Sequence, residues 1–401
     1  MLPLQINSYF VEKIDNIAYF ALILVLLSGL FLDSGAIGLF ALLFCFLIFL
    51  KLIFKKTNYK IENYEKALII YFLLVTLSLF GSTLFSLSLH GYLKTLTYIL
   101  FYFSAAVFFA DNRNKIFPTF LIVASFMSFE SIIAIIQNHM GVAEISGWQD
   151  VSNMNPEDVI ARAYGTLKPY NPNLLAGYLL CGLSSFIYLA YDAFQKNKKI
   201  YSIGFLILFL INLIAIIYTG CRGAYLGFLL FFPVLFLAIF KKLNKKYKNI
   251  SLAGVIAFLC FVFTNPAIVK RFQSILSFRA DSSISFRLNV YESVWRMFLD
   301  NIILGIGVGN QNFREIYGLY MKTGYDALGA YCVPLEIAVE SGIFALIAFI
   351  VFLVLVFIKC LKGKSTLAFA VILMLLAVFG HGFFPYLKNT VWNNHCFDPP
   401  S

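Results

Sequence analysis

Hydrophobic residues in this chain of 401 arrive in long unbroken blocks separated by short polar stretches. Eleven blocks can be drawn, at 17–32, 36–54, 67–85, 95–110, 116–136, 174–191, 200–218, 224–240, 250–267, 333–358 and 366–384. Most approach the roughly 20 apolar residues that carry a helix across a bilayer. They are apolar on every side, rich in Leu, Ile and Phe, and show no period of two. Lipid-facing barrel strands would need that alternation, whereas helices satisfy their own backbone hydrogen bonds. The pattern predicts an all-α fold, a polytopic transmembrane helical bundle of about 11 helices. No solenoid repeat or low-complexity linker divides it, so residues 1–401 read as a single membrane domain.

Three segments break the rhythm of helix and short loop. The first, 138–172, leads through Arg162 and Lys168 to Asn171, Pro172 and Asn173, a turn followed by a helix cap. The second is the connection Thr219 to Leu226, which carries Arg222 between Gly220 and Gly223. The third is the long loop 268–332. Within it Phe286, Val290, Val294, Met297 and Phe298 recur at helical spacing, with Arg287, Glu292 and Arg296 between them. That is an amphipathic helix lying along the membrane surface or against the bundle. Gly305, Gly307 and Gly309 follow without a βαβ context, which points to a tight turn and away from a nucleotide site. Pro334 suits the first turn of the next helix. No broken helix pair or inverted repeat, the usual marks of a secondary transporter, is visible.

Composition strengthens the membrane reading. Residues are 61% hydrophobic and only 13% charged, against about 25% charged in soluble chains. The net charge of +11 could suggest nucleic acid, but its distribution argues otherwise. With the lysine-rich loop 51–66 in the cytoplasm, nineteen of the 31 basic residues fall inside, five in short outside segments and seven in the 268–332 loop. Long loops are exempt from the charge rule. The bias predicts a cytoplasmic N-terminus, an outside large loop and an outside C-terminus. The lysines at 196–199 and 241–248 are orientation signals touching anionic lipid. The first block reads as an uncleaved anchor. Seven cysteines are scattered without CxxC or zinc spacing, so neither metal nor cofactor is expected.

Candidate chemistry gathers on the outer side. Arg222 either snorkels to the interface or faces a cavity and binds an anion, since guanidinium forks match carboxylate, bicarbonate and phosphate. Arg287 is either a solvated residue of the amphipathic helix or a second wall of the same pocket. Arg162 could add to that field, as could Lys168, Arg279 and Arg314 with lower rank. Glu336 and Glu340 share one helix face and should avoid lipid; charge balance for the arginines is the expected role, a proton-handling role the sharper one. Glu130 is an intramembrane carboxylate in need of a partner. His381, between Gly380 and Gly382, reads as a helix-end structural residue. No catalytic residue can be assigned: no Ser-His-Asp order, Walker motif or metal signature occurs.

Three pieces of the chain resemble the O-antigen ligase and polymerase superfamily of bacterial membrane proteins: Gly220 to Leu226, Ser285 through Trp295 to Asn310, and Leu335 to Gly342. Within it, Tyr170 to Tyr178, Asp281 to Ser283, Ala330 to Glu336 and Gly380 to Gly382 are similar to the cyanobacterial IctB family of inorganic-carbon (bicarbonate) transporters. The likeness covers roughly residues 120–385. It implies one of two functions: transport or accumulation of a small anion, bicarbonate, through an arginine-lined pocket, or glycan ligation from an undecaprenyl-diphosphate donor, a lipid-linked oligosaccharide. Ligases of the superfamily carry a catalytic His-Asn pair before the Leu-Glu helix; here the matching positions are Tyr331 and Cys332. A phenol with an ordinary pKa near 10 is a poor base at neutral pH. The end of the chain beyond Gly382 also departs from the family, which continues into another helix. Membrane lipids complete the expected partners, and no nucleic acid is expected.

Overall fold

The computed structural model describes residues 2–32, 34–55, 57–141, 162–168, 170–241, 244–264, 282–363 and 365–383. Among them are thirteen α-helices and no strand. These are α1 (Leu2–Phe31), α2 (Ser34–Phe54), α3 (Asn63–Ser78), α4 (Phe85–Asp111), α5 (Ile116–Met140), α6 (Pro172–Gln195), α7 (Lys199–Tyr218), α8 (Arg222–Phe240), α9 (Lys245–Thr264), α10 (Ser282–Asp300), α11 (Asn310–Tyr317), α12 (Val333–Lys362) and α13 (Thr366–Phe383). Nine spans among the described residues are long and apolar enough to cross a membrane. They match nine of the eleven blocks. The other two are α9, whose block runs past Thr264, and the shorter apolar helix Thr366–Gly382. The readings made on Arg279, on 142–161 and on the end of the chain after Phe383 fall outside the described residues.

The helices form three packed groups. In the first, α6 is the central post, flanked by α5, α7, α8 and α13. Leu175, Leu179, Leu183, Phe186 and Leu189 of α6 are fully buried, as are Ala215 of α7, Phe231 of α8 and Leu373 and Ala377 of α13. α6 starts where the sequence says it should: Pro172 occupies the first turn and the Asn171 side chain accepts from the Asn173 amide at 2.8 Å. In the second group α1, α2 and α4 close around Phe44, Ile48 and Phe108. Their far end is pinned by Lys51, fully buried between Asp15 at 2.8 Å and Asp111 at 3.0 Å.

The third group is a cap. The apolar stripe of α10 packs inward rather than along a surface: Val290, Val294 and Met297 are fully buried against Phe313 and Tyr317 of α11 and Val339 of α12. The α10 stripe therefore takes the bundle-facing alternative of the two that its spacing allowed.

α12 is broken, contrary to the expectation of uninterrupted spans. Gly342 lies inside it at φ 81° and ψ 172°, a conformation open to glycine. A Cβ there would also fall 2.0 Å from the carbonyl oxygen of Ile303. The break takes the carbonyls of Val339 and Glu340 out of the helical ladder, and the loop before α11 replaces the lost donors. Ile306 N donates to Val339 O and Gly307 N to Glu340 O, while Ile343 N donates to Ile302 O, each at 2.9 Å. Non-helical backbone at membrane depth persists only where protein buries it in this way. The glycine run is thus more than a tight turn: Gly305, Gly307 and Gly309 all have positive φ and thread between α4 and α12. Fully buried Asn312 fastens them, donating to the carbonyls of Ile306 at 3.0 Å and Gly307 at 2.8 Å.

Candidate functional site

Residues 162–168 form a short irregular segment pinned between helices. Ala163 N donates to Tyr218 O at 3.0 Å. Gln137 of α5 accepts from the amides of Tyr164 at 3.1 Å and Gly165 at 2.9 Å, and donates to Gly165 O at 3.1 Å. Glu130, fully buried in α5, accepts from the Thr166 amide at 3.0 Å and from the Thr166 hydroxyl. Thr166 is the partner that the intramembrane carboxylate needed. Nothing in the spacing of the two residues in the sequence marks it.

This scaffold fixes Arg162. Its Nε donates to Thr219 O at 2.8 Å and its Nη2 to Asn173 Oδ1 at 2.8 Å. Both acceptors are neutral, so the guanidinium keeps its charge without a carboxylate. Burial pulls Arg162 below its ordinary value; Cys221 and Tyr225 oppose that, and the guanidiniums of Arg222 and Arg287 add to it. Three arginines from three separate parts of the chain therefore lie within electrostatic reach in one region. Arg222 is the first residue of α8, where the dipole of a helix N-terminus adds partial positive charge. Arg287, on α10, has its Cζ 5.8 Å from the centroid of the Tyr331 ring.

Tyr331 itself is held at φ 52°, a left-handed conformation costly for a non-glycine residue. Burial raises its phenol above the ordinary range, with Arg287 acting against that shift. Burial likewise raises the Cys332 thiol. Neither residue at the expected His-Asn position is suited to accept a proton at neutral pH.

His381 is brought into the same region, which the sequence reading did not anticipate. The α13 helix meets α8 closely because Gly380 and Gly227 face each other: a Cβ on Gly380 would lie 2.4 Å from the Gly227 Cα. That contact drives the next residue, His381, between Gly177 of α6 and Gly223 of α8, where added Cβ atoms would lie 3.0 Å from its Nε2 and Nδ1 respectively. Its Nδ1 is 3.9 Å from the Sγ of buried Cys221, and the charge of Arg287 reaches the ring. Burial pushes the Cys221 thiol up, but the hydrogen bond and charge of His381, together with Arg162, outweigh this and lower it. The available signal was the pair of glycines around His381 and the pair around Arg222, both of which mark close approach.

Other expectations are placed elsewhere. Among the described residues neither Glu336 nor Glu340 forms an ion pair with an arginine. Glu340 instead accepts from the Gly309 amide at 3.1 Å, which ties it to the threaded loop. Glu336 accepts from the Ala330 backbone amide. The two carboxylates hold the cap to α12 and do not balance the arginine charge directly. Arg314 pairs at the surface with Asp326, 2.6 Å away. Lys168 is the last residue of the pinned segment that Arg162 begins.

No curated protein matches this chain. Residues 206–350, a stretch that includes Arg222, Arg287, Tyr331 and the break in α12 at Gly342, match the family model described as O-antigen ligase, and that part of the chain is on this ground similar to the O-antigen ligase superfamily.

Proposed function

We propose that this chain is a bacterial inner-membrane ligase or polymerase of lipid-linked glycans, whose Arg162, Arg222 and Arg287 hold the diphosphate of an undecaprenyl-linked donor. The observation that carries this reading is that the charges of Arg222 and Arg287 both reach Arg162, and that Arg162 and Arg287 have no carboxylate partner among the described residues. Such a concentration of positive charge calls for a polyanion. A diphosphate diester brings two negative charges and several oxygens that suit guanidinium forks. The match to the O-antigen ligase family model supports the same chemistry. The positive-inside bias supports placing the lysine-rich ends in the cytoplasm and the arginine region on the periplasmic side.

Bicarbonate accumulation, the function implied by the IctB likeness, is the second reading. The discontinuity at Gly342 favours it, because carriers build ion sites at broken helices. Against it, the carbonyls freed at the break are taken up by Ile306 and Gly307 rather than left to a passing ion, and a monovalent anion would balance only one of the two guanidiniums, Arg162 and Arg287, that have no carboxylate partner among the described residues.

The test uses the full chain in lipid nanodiscs. Wild type is expected to bind undecaprenyl diphosphate, and Arg222→Ala and Arg287→Ala each to weaken it about 10–100-fold, the worth of a hydrogen bond to a charged group, ~1.5–3 kcal/mol. Unchanged binding in both variants, or no binding by wild type, overturns the donor site. Labelled bicarbonate uptake into proteoliposomes under a sodium or proton gradient would instead establish the second reading.

A further inference from the structure

We propose that His381 is the general base of this chain, with Cys221 as the residue that orients it, so that the proton-accepting role lies on α13 and not at Tyr331. The inference rests on the glycan-transfer reading above. Transfer of a sugar to a hydroxyl needs a group that removes the hydroxyl proton as the new bond forms, and a histidine is the side chain best matched to that task near neutral pH. Four histidines occur in the chain, and His381 is reached by the charge of Arg287.

Its surroundings are those of a positioned base. The ring is confined between Gly177 and Gly223, so neither α6 nor α8 presents a side chain to it at those points. Its Nδ1 faces the Cys221 sulfur at 3.9 Å, the only hydrogen bond the ring makes among the described residues. With the proton on Nδ1 directed to sulfur, Nε2 carries the lone pair. A polar partner at one ring nitrogen sets the tautomer at the other. The ionisable groups around it are Cys221 from the α7–α8 connection, Arg287 from α10 and, through Cys221, Arg162. The neighbouring turn of α12 contributes apolar Val333, against Gly382.

The step balances without a metal or redox partner. The acceptor hydroxyl gives its proton to Nε2 while its oxygen bonds to the anomeric carbon of the donor. The bond from that carbon to the diphosphate oxygen breaks, and its electron pair stays on undecaprenyl diphosphate, whose added negative charge the arginines stabilise. The imidazolium then returns its proton to solvent or to the departing diphosphate.

The experiment separates binding from turnover in nanodiscs holding the full chain. Undecaprenyl diphosphate is the binding probe, and undecaprenyl-diphosphate-linked glycan extracted from bacterial membranes is the turnover probe. His381→Gln should bind within about 3-fold of wild type and lose about 10²–10⁴-fold in turnover, the usual contribution of a positioned base. Cys221→Ala should lower turnover and move the acidic limb of its pH profile to lower pH, because the imidazolium loses the group that orients it and accepts from it; Cys221→Ser should restore both. A role confined to packing would not move that limb. His381→Gln turning over at the wild-type rate, or a Cys221→Ala profile that superimposes on wild type, overturns the assignment. If His381→Gln fails to fold, the Cys221 pair decides the matter by itself. Wild type that neither binds nor turns over these lipids overturns the transfer reading instead.

Discussion

Arg162 shows how much of this site depends on groups other than its arginines. It is aimed by Thr219 and Asn173, and the segment that carries it is held by Gln137 and Glu130. Glu130→Gln would put an amide nitrogen where a carboxylate oxygen accepts from Thr166. The expected cost is about 1–3 kcal/mol, visible as a lower midpoint of thermal unfolding, with weaker undecaprenyl diphosphate binding because Arg162 loses its support. A variant that melts like wild type would show that Glu130 is not the anchor. At this scale the sequence was partly legible. Arg222 and Arg287 stood out because a guanidinium at a membrane boundary needs a reason, whereas Arg162 read only as one of several loop residues that could add to their field. His381 did not, because its importance comes from Gly227 and Gly380 bringing two distant helices together, a fact of packing that carries no local signature. Glu336 and Glu340 were legible as interior-facing, yet their partners are backbone amides, which every residue offers and no motif announces.

Among elements, α12 departs most from its sequence. Val333 to Lys362 is apolar except for Glu336, Glu340 and Ser341 near its start and two lysines at its end, so it reads as a plain span, and its one glycine gave no warning of a break. The spans were otherwise legible because block length and uniform apolarity are dictated by the bilayer itself. The amphipathic period of α10 was legible too, but the face it would meet depended on α11, a helix of only eight residues inside the polar loop. Gly342→Ala should destabilise the protein substantially: positive φ alone costs a non-glycine residue ~1–3 kcal/mol, and its Cβ would meet the Ile303 carbonyl at 2.0 Å. Gly29→Ala, in α1 with nothing within 4 Å of the added carbon, should be neutral or slightly stabilising. Thermal unfolding of the two variants side by side checks the contrast, and equal midpoints would remove the break from the list of structural requirements.

For the whole molecule, the contacts sort its two ends. Arg162 with Thr219, Thr166 with Leu30 and Ser82 with Asn312 lie at one end. Lys51 with Asp15 and Asp111, and Lys359 with Glu62, lie at the other. The lysine bias assigns the second end to the cytoplasm. Cysteines introduced in a background freed of the native ones test this: Leu319→Cys, in the exposed cap, should react with an impermeant maleimide in spheroplasts, and Lys362→Cys only after permeabilisation. The reverse pattern would turn the proposed topology over. The union of Ile302–Gly307 with Val339–Ile343 also has a bearing on biogenesis. The ribosome delivers the donor strip before its acceptors, so amides that will end inside the bilayer must wait in water or in the translocon until α12 emerges. Insertion of that span and closure of the cap then become one event, and a chain stalled between them would expose an unfinished seam to the quality-control proteases of the membrane.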